Sequence, residues 1–315
     1  MKVTRSLTGY RPSAAPVATI GNFDGQHRGH QALLRLVVDT AAAVGGTAVV
    51  ITFDPHPARI LSPHVPLKFL TSPDEKLAAF EAAGIREVVF LPFTTEFAAR
   101  TPDSFAQDIL AGALGVTELF VGQHFVFGRH RAGRIADLVR FGEQWGFRVH
   151  AMAPVEVDGA VVSSTRIRGL LHEGKVAAAA RCLGRHYAWQ GRVVKGRQRG
   201  RDLGWPTANL RIPAERVVPC DGVYAAVTRW GNHVFDSIVY LGTRPTFEAD
   251  GERVLEVHLL DERRALYGEE IRVEFVAFVR GGTTFSSPEA LQKQIAADVE
   301  CARDQLRAIA AGRLA

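Results

Sequence analysis

The chain has 315 residues, of which 47% are hydrophobic and 23% are charged. At roughly 150 residues per domain this length favours two domains, and the composition excludes a disordered, a collagen-like and a coiled-coil protein. Apolar runs have the length of a buried strand, well short of the ~20 residues that a membrane-spanning helix needs. The net charge of +5 comes without a nucleic-acid-binding motif. We therefore expect neither a nucleic acid nor a membrane as a partner; a protein that handles phosphorylated small molecules and one that is merely basic are the alternatives.

The cysteine pattern indicates a reducing environment. Cys182, Cys220 and Cys301 are scattered and fit neither a disulfide framework nor a zinc site. The N-terminal residues contain no apolar stretch of signal-peptide length. We expect a soluble, cytoplasmic protein, with its oligomeric state left open.

In the first half, short apolar segments alternate with helical patterns. The predicted strands are Val17–Ile20, Ala48–Thr52, Val88–Leu91, Leu119–Gly122 and Val149–Met152. The predicted helices are Gln31–Val44, Asp74–Ala83, Ser104–Leu114 and Ile135–Trp145. This α/β alternation is typical of a Rossmann-like parallel sheet with helices on both faces, whose ligands bind at the carboxyl ends of the strands. The loop after Ile20 is therefore the first candidate site.

The second half has the pattern of an antiparallel β-domain that ends in a helix. Its predicted strands are Ala188–Lys195, Gly222–Trp230, Val234–Leu241, Val254–Leu260 and Ile271–Phe278. Ser287 and Pro288 begin a long amphipathic helix. We predict a domain boundary after residue 184, with residues 1–184 as an α/β domain. Residues 185–315 are then a small antiparallel β-barrel, or a sandwich, with a C-terminal helix.

The loop after the first apolar strand has the sequence GNFDGQHRGH (residues 21–30). Glycines let the backbone approach a phosphate, and the start of a helix presents free N–H groups to an anion. His27 and His30 are three residues apart, so both side chains can reach one phosphate and stabilise its transition state as cationic or donor imidazoles. A metal-binding histidine pair and two incidental surface histidines are the alternatives.

This loop resembles the opening motif of the HxGH nucleotidyltransferases, and more closely that of the prokaryotic bifunctional riboflavin kinase/FMN adenylyltransferase (FAD synthetase) family. Three more segments resemble family motifs in the same order: TFDPHP (52–57), VGQHFVFG (121–128) and SSTRIR (163–168). The resemblance implies catalytic roles for His27 and His30 and flavin contacts for Asp54 and His124. It implies nucleotide-binding roles for Gly21, Asn22, Phe23, Asp24, Gly29, Ser164, Thr165, Arg166 and Arg168.

A second group of motifs lies in the β-domain. The segment GRQRGRDLGWPTAN (196–209) combines a basic, glycine-rich loop with PTAN, which resembles the riboflavin kinase motif. The resemblance implies that Gly196, Gly200, Gly204 and Pro206 bind nucleotide, that Thr207 and Asn209 hold Mg²⁺, and that Arg280 contacts the flavin. Glu256 lies on the polar side of its strand, opposite Leu255 and Val257, where the family has its catalytic base.

Together the motifs imply a bifunctional transferase with ATP as co-substrate. The C-terminal module phosphorylates riboflavin to FMN, and the N-terminal module adenylylates FMN to FAD and releases pyrophosphate. Two alternatives stay open. One is a single active module, with the kinase weakened at Arg197, Gln198 and Gly282 or the adenylyltransferase weakened at His124. The other is a flavin- or nucleotide-binding regulator without turnover.

Overall fold

The computed structural model describes residues 1–195, 205–212, 214–243, 253–262 and 264–311. They form two compact units, Met1–Ser163 and Ser164–Ala315. The division by contacts precedes two helices that the sequence analysis assigned to the first domain. Because compactness alone does not delimit a functional module, the boundary after residue 184 stays a prediction.

The first unit contains a six-stranded sheet in which all strands run parallel. Its strands are β1 (Lys2–Thr4), β2 (Pro16–Ile20), β3 (Thr47–Asp54), β4 (Glu87–Pro92), β5 (Glu118–Gly122) and β6 (Arg148–Met152). They lie side by side in the order β1-β4-β3-β2-β5-β6. A short hairpin follows, formed by β7 (Glu156–Val157) and β8 (Ala160–Val161). The parallel sheet confirms the fold class predicted for this half.

Helices surround this sheet. They are α1 (Arg28–Ala43), α2 (Pro57–Leu61), α3 (Pro73–Ala82), α4 (Thr95–Ala98), α5 (Pro102–Ser104), a π-helix (Phe105–Ala113), a 3₁₀ turn (Arg129–Arg131) and α6 (Ile135–Trp145). Ser72 caps α3 in a reciprocal capping box with Glu75, which fixes where that helix begins. The π-helix replaces the predicted helix at 104–114, because Leu114 N donates to Ile109 O, five residues back, at 2.9 Å.

Alternate residues of the strands face two separate cores. Ala18 and Val49 pack in a core with the π-helix and α6. Val17 and Val50 pack in the other core, with apolar side chains of α1 and α3. Because both faces of the sheet are covered, its strands are apolar at successive positions rather than at alternate ones.

The second unit is a closed antiparallel barrel flanked by helices. It begins with α7 (Ser164–His172) and α8 (Val176–Leu183). The barrel strands are β9 (Tyr187–Val194), β10 (Ala208–Arg211), β11 (Gly222–Trp230), β12 (His233–Thr243), β13 (Arg253–Leu259) and β14 (Glu270–Gly281). Their order is β10-β13-β12-β11-β14-β9, and pairing of β9 with β10 closes the barrel. The unit ends with α9 (Pro288–Ala310), as predicted.

Apolar side chains fill the barrel and join it to α9. Trp189, Tyr224 and Phe275 are among the largest fully buried side chains. Val299 and Leu306 on α9 pack against Val223 and other residues of a second cluster. Among the described residues, no helix combines the length and the hydropathy that crossing a membrane requires.

Candidate active sites

The GNFDGQHRGH loop leaves the sheet at the point where the strand order reverses. From β2 the chain continues to β3 and β4 on one side and then returns to β5 and β6 on the other. Such a reversal opens a crevice at the carboxyl ends of the strands, the usual ligand site of this fold. Since β3 and β5 flank β2, Asp54 and the Gly122–His124 turn end at the same edge of the sheet as the loop.

The two histidines lie at the start of α1. His27 is the N-cap residue, and its Nδ1 accepts a hydrogen bond from His30 N at 3.3 Å. The rings of His27 and His30 are stacked, with centroids 3.6 Å apart. His27 is 7% exposed. A Nδ1 atom that accepts a hydrogen bond carries no proton, so neutral His27 has its N–H at Nε2 and is a donor there.

Gly29 allows the His27 ring to fold over the start of α1. A Cβ atom at position 29 would lie 3.3 Å from both Cε1 and Nδ1 of the His27 ring, which is closer than ordinary side-chain contact. The glycine between the two histidines therefore has a steric reason in this chain, separate from any approach of a phosphate.

His30 lies in surroundings that disfavour a charged imidazole. Burial lowers its pKa well below the usual range, and the nearby charges of His27 and Lys76 lower it further. Phe23 contacts its ring, with centroids 5.1 Å apart. Its Nδ1 is buried and has no hydrogen-bond partner among the described residues. Of the two forms considered from the sequence, cation or donor, these surroundings favour the neutral donor.

The other predicted residues of the loop are held mostly by the protein itself. The buried Asp24 carboxylate accepts hydrogen bonds from Leu70 N at 2.9 Å and from Thr71 N at 3.3 Å. Gly21 N donates to Ile51 O at 3.1 Å, and the Asn22 carbonyl accepts from Lys76 Nζ at 3.0 Å. These contacts shape the loop, while nucleotide binding by Gly21, Asn22, Phe23, Asp24 and Gly29 stays a prediction.

The two predicted flavin ligands of this unit are exposed. Asp54 ends β3 and forms an ion pair with Arg5 at 3.0 Å, and 61% of its side chain is exposed. His124 lies exposed in the turn after β5. Their exposure leaves both side chains accessible to a ligand, and their flavin contacts stay predictions.

The SSTRIR residues form the start of α7, which belongs to the second unit. Ser164 and Thr165 open the helix, and Arg166 and Arg168 follow in its first turns. A helix start with two hydroxyls and two guanidinium groups suits a polyphosphate. Phosphate binding by these residues stays a prediction.

In the barrel, several predicted residues form one row across neighbouring strands. Asn209 pairs with Glu256, Glu256 with Tyr240, Tyr240 with Val223 and Val223 with Arg280. Paired residues of antiparallel strands point to the same face of the sheet. Leu255 and Val257, the neighbours of Glu256 in its strand, are buried and point to the opposite face, which is the interior of the barrel. The row therefore lies on the outer face of the barrel.

The PTAN segment begins β10 beside this row. Asn209 is 6% exposed, and Pro206 and Thr207 are half-buried just before the strand. His258, two residues beyond Glu256, donates from Nδ1 to Pro206 O at 2.8 Å, since a carbonyl can only accept. The other predicted nucleotide ligands, Gly196, Gly200 and Gly204, lie outside the described residues, as do Arg197 and Gln198.

Arg280 is bound to α9. Its guanidinium forms a bidentate ion pair with the buried Asp298, with Nη2–Oδ2 at 2.7 Å and Nε–Oδ1 at 2.8 Å. Gln294 donates to the same carboxylate at 2.8 Å. The pKa of Tyr240 is raised by burial and by the charges of Asp221 and Glu256, while Arg280 opposes that rise. The predicted base and the predicted flavin ligand are thus electrostatic neighbours of one tyrosine.

Four residues of these sites were not singled out as ligands or positioning groups by the sequence analysis: Lys76, His258, Tyr240 and Asp298. Lys76 and Asp298 lie on helices in no recognisable motif, and their partners are more than ten residues away in sequence. His258 had one available indication, since it shares the polar side of its strand with Glu256.

Comparison with known proteins assigns each half of the chain to a family. The model of the FAD synthetase family matches residues 11–166, and that of the riboflavin kinase family matches residues 183–306. A bifunctional riboflavin kinase/FMN adenylyltransferase from Pseudomonas fluorescens is 38% identical over 309 residues and covers 96% of this chain and 97% of its own. One from Escherichia coli K12 is 37% identical over 307 residues with the same coverage.

A solved structure shows the same architecture over nearly the whole length. It is described as a macrolide-efflux protein from Streptococcus pneumoniae and is 30% identical. It superposes with a TM-score of 0.87 and covers 96% of this chain and 99% of its own. The succession of a parallel α/β unit and a barrel is therefore shared with a solved protein.

Proposed function

The chain belongs to the bifunctional riboflavin kinase/FMN adenylyltransferase family, and we propose that the two sites described above perform the two reactions of that family. The barrel unit phosphorylates riboflavin to FMN, and the HxGH site adenylylates FMN to FAD. ATP is the co-substrate of both reactions. The observation that carries this assignment is the presence of both families' models on one chain, each over the half that contains the corresponding site.

In the adenylyl transfer, a phosphate oxygen of FMN attacks the α-phosphorus of ATP, and the bond to pyrophosphate breaks with its electron pair. The protein's task is to orient the two phosphates and to stabilise the charge that develops between them. His27 donates from Nε2, because its Nδ1 is occupied by His30 N. His30 acts as a neutral imidazole, and the positive end of the α1 dipole adds to the stabilisation of the phosphates.

In the kinase reaction, Glu256 accepts the proton of the riboflavin 5′-hydroxyl as that oxygen attacks the γ-phosphorus of ATP and ADP leaves. Its position supports this role, since Glu256 is half-buried between the paired residues Asn209 and Tyr240. Arg280 is held by Asp298 and also donates to Gly281 O, and we propose that it contacts the flavin from this fixed position.

The donor set at PTAN fits Mg²⁺. The Thr207 hydroxyl and the Asn209 amide oxygen are hard ligands, and Asn209 lies opposite Glu256 in the neighbouring strand. We propose that Thr207 and Asn209 hold the ion together with phosphate oxygens of ATP. When bound, Mg²⁺ neutralises charge on the transferred phosphate. The residues themselves orient the nucleotide beside the base.

Product analysis by chromatography tests the assignment. Purified protein is incubated with riboflavin, ATP and Mg²⁺, and separately with FMN, ATP and Mg²⁺. We expect FMN and FAD in the first reaction and FAD in the second. FAD only from supplied FMN would contradict the kinase assignment, FMN without FAD would contradict the adenylyltransferase assignment, and no product would favour a binding protein.

A further inference from the structure

Residues 70–76 form hydrogen bonds with most residues of the loop 22–26, which precedes His27 and His30. The contacts join four of the five loop residues 22–26 to one short segment that leads into α3 and forms its first turn. They are Lys76 Nζ to Asn22 O at 3.0 Å, Leu70 N to Asp24 Oδ1 at 2.9 Å, Gly25 N to Thr71 Oγ1 at 3.2 Å and Gln26 Nε2 to Lys76 O at 2.8 Å. We call residues 70–76 the clasp.

The loop has a backbone that needs such support. Phe23 and Gln26 have φ angles of 52° and 41°, the left-handed region that side chains other than glycine rarely adopt. Both residues are buried. Residues in sparsely populated backbone regions persist only where surrounding contacts over-determine them, and they cluster at functional sites. The contacts of the clasp with Asn22, Asp24, Gly25 and Gln26 provide that constraint.

Lys76 is the cationic member of the clasp, which also contains Asp74 and Glu75, and it lies among the ionisable groups of the site. Burial lowers the pKa of Lys76, while the carboxylates of Asp24 and Asp54 oppose that effect. Its charge also acts on the His30 imidazole. A half-buried ammonium group that loses solvation is retained where it is paired or does specific work. Here it donates to a backbone carbonyl of the loop and interacts electrostatically with Asp24, Asp54 and His30.

We propose that Lys76 is a positioning residue of the adenylyltransferase site, where its ammonium group holds the Asn22 carbonyl and so fixes the loop that sets His27 and His30 against the phosphates. Lys76 acts through the loop and the histidines and needs no contact with ATP or FMN. This inference rests on the proposed function of the HxGH site.

Lys76→Met removes the ammonium group and keeps the length of the side chain. Because loop misplacement affects the orientation of the reacting groups, we expect kcat for FMN adenylylation to fall about 10- to 100-fold, with KM for ATP and FMN changed much less. Riboflavin phosphorylation by the same preparation is unchanged. Lys293→Met, at an exposed position of α9, is the matched control and retains both activities.

The pH profile separates this role from a merely structural one. The ionisable groups around Lys76 and His30 are His27 at the N-cap of α1, Asp24 in the loop and Asp54 at the end of β3, which is paired with Arg5. Without the charge of Lys76, the pKa of His30 rises. Neutral His30 is then lost at a higher pH as the solution is acidified, so the acid limb of the kcat profile moves to higher pH. Lys76→Arg, which keeps a positive charge, restores the wild-type limb.

A second variant tests the clasp without a change of charge. Thr71→Val removes the hydroxyl that Gly25 N contacts, so we expect kcat to fall and the acid limb to stay in place. Wild-type kcat in Lys76→Met overturns the proposal, and so does a lowered kcat with an unmoved acid limb, which indicates a merely structural role. If that variant does not fold, the same two results in Lys76→Gln overturn the proposal. A wild-type protein that makes no FAD from FMN instead contradicts the proposed function itself.

Discussion

The smallest informative change in the HxGH site is Gly29→Ala, which adds one methyl group beside the His27 ring. The new Cβ would lie 3.3 Å from two ring atoms of His27, so the ring must retreat by a few tenths of an ångström. The cap hydrogen bond from His30 N to His27 Nδ1 is already 3.3 Å long. A further ~0.3 Å takes it to a length at which a hydrogen bond is lost.

The expected change in the free energy of unfolding is small because two contributions oppose each other. Loss of an N-cap contact costs about 1 kcal/mol, while alanine in place of a helical glycine contributes about 0.5–1 kcal/mol. The net change is within ~1 kcal/mol, so Tm moves by no more than about 4 °C for a unit of this size. Displacement of the His27 donor acts on the transition state, and we expect kcat for FAD formation to fall about 10- to 100-fold.

The assay measures FAD formation from FMN, riboflavin phosphorylation and thermal unfolding on the same preparation. Gly169→Ala is the matched control, because a Cβ at this helical glycine meets no atom within 4 Å, and it should keep both activities. Wild-type FAD formation by folded Gly29→Ala would refute the reasoning that the position of the His27 ring limits the reaction. Loss of both activities would refute the assignment of the effect to one site.

Two further predictions concern the barrel. Glu256→Gln should lower riboflavin phosphorylation by about 100-fold or more, the contribution expected of a general base, while FMN is still converted to FAD; equal loss of both activities would contradict separate sites. Asp298→Asn removes the charge that holds Arg280, so KM for riboflavin should rise several-fold in steady-state kinetics, while FAD formation from FMN is unaffected. An unchanged KM would contradict a contact between Arg280 and the flavin.

The parallel sheet could be predicted because strands that are buried on both faces are apolar at successive positions. Ile135–Trp145 is a helix with the predicted bounds, and the five predicted strands of the first half fall within observed ones. β1 and β10 were missed, since three and four residues are too few for a period to appear. The π-helix was missed because its apolar spacing over nine residues does not distinguish it from an α-helix.

The sequence was enough to predict which segments form the candidate sites, but not which atoms contact one another within them. Motifs identified His27, His30 and Glu256 as candidates, and the strand pattern placed Glu256 on the polar side of its strand. The conformation of the loop depends on contacts between residues that are distant in sequence, such as that of Lys76 with Asn22. The lowered pKa of His30 likewise follows from burial and from neighbouring charges, which no local pattern reveals.

The account's central claim is that two separate sites of one chain act in succession, and a mixing experiment tests it directly. His30→Ala and Glu256→Gln are each supplied with riboflavin, ATP and Mg²⁺, alone and mixed in equal amounts, and FAD is measured by chromatography. We expect FMN without FAD from the first variant, FAD at about a hundredth of the wild-type rate or less from the second, and far faster FAD formation from the mixture, because FMN made by one variant is adenylylated by the other. FAD from the first variant, FAD at the wild-type rate from the second, or no gain in the mixture despite accumulated FMN would contradict the claim.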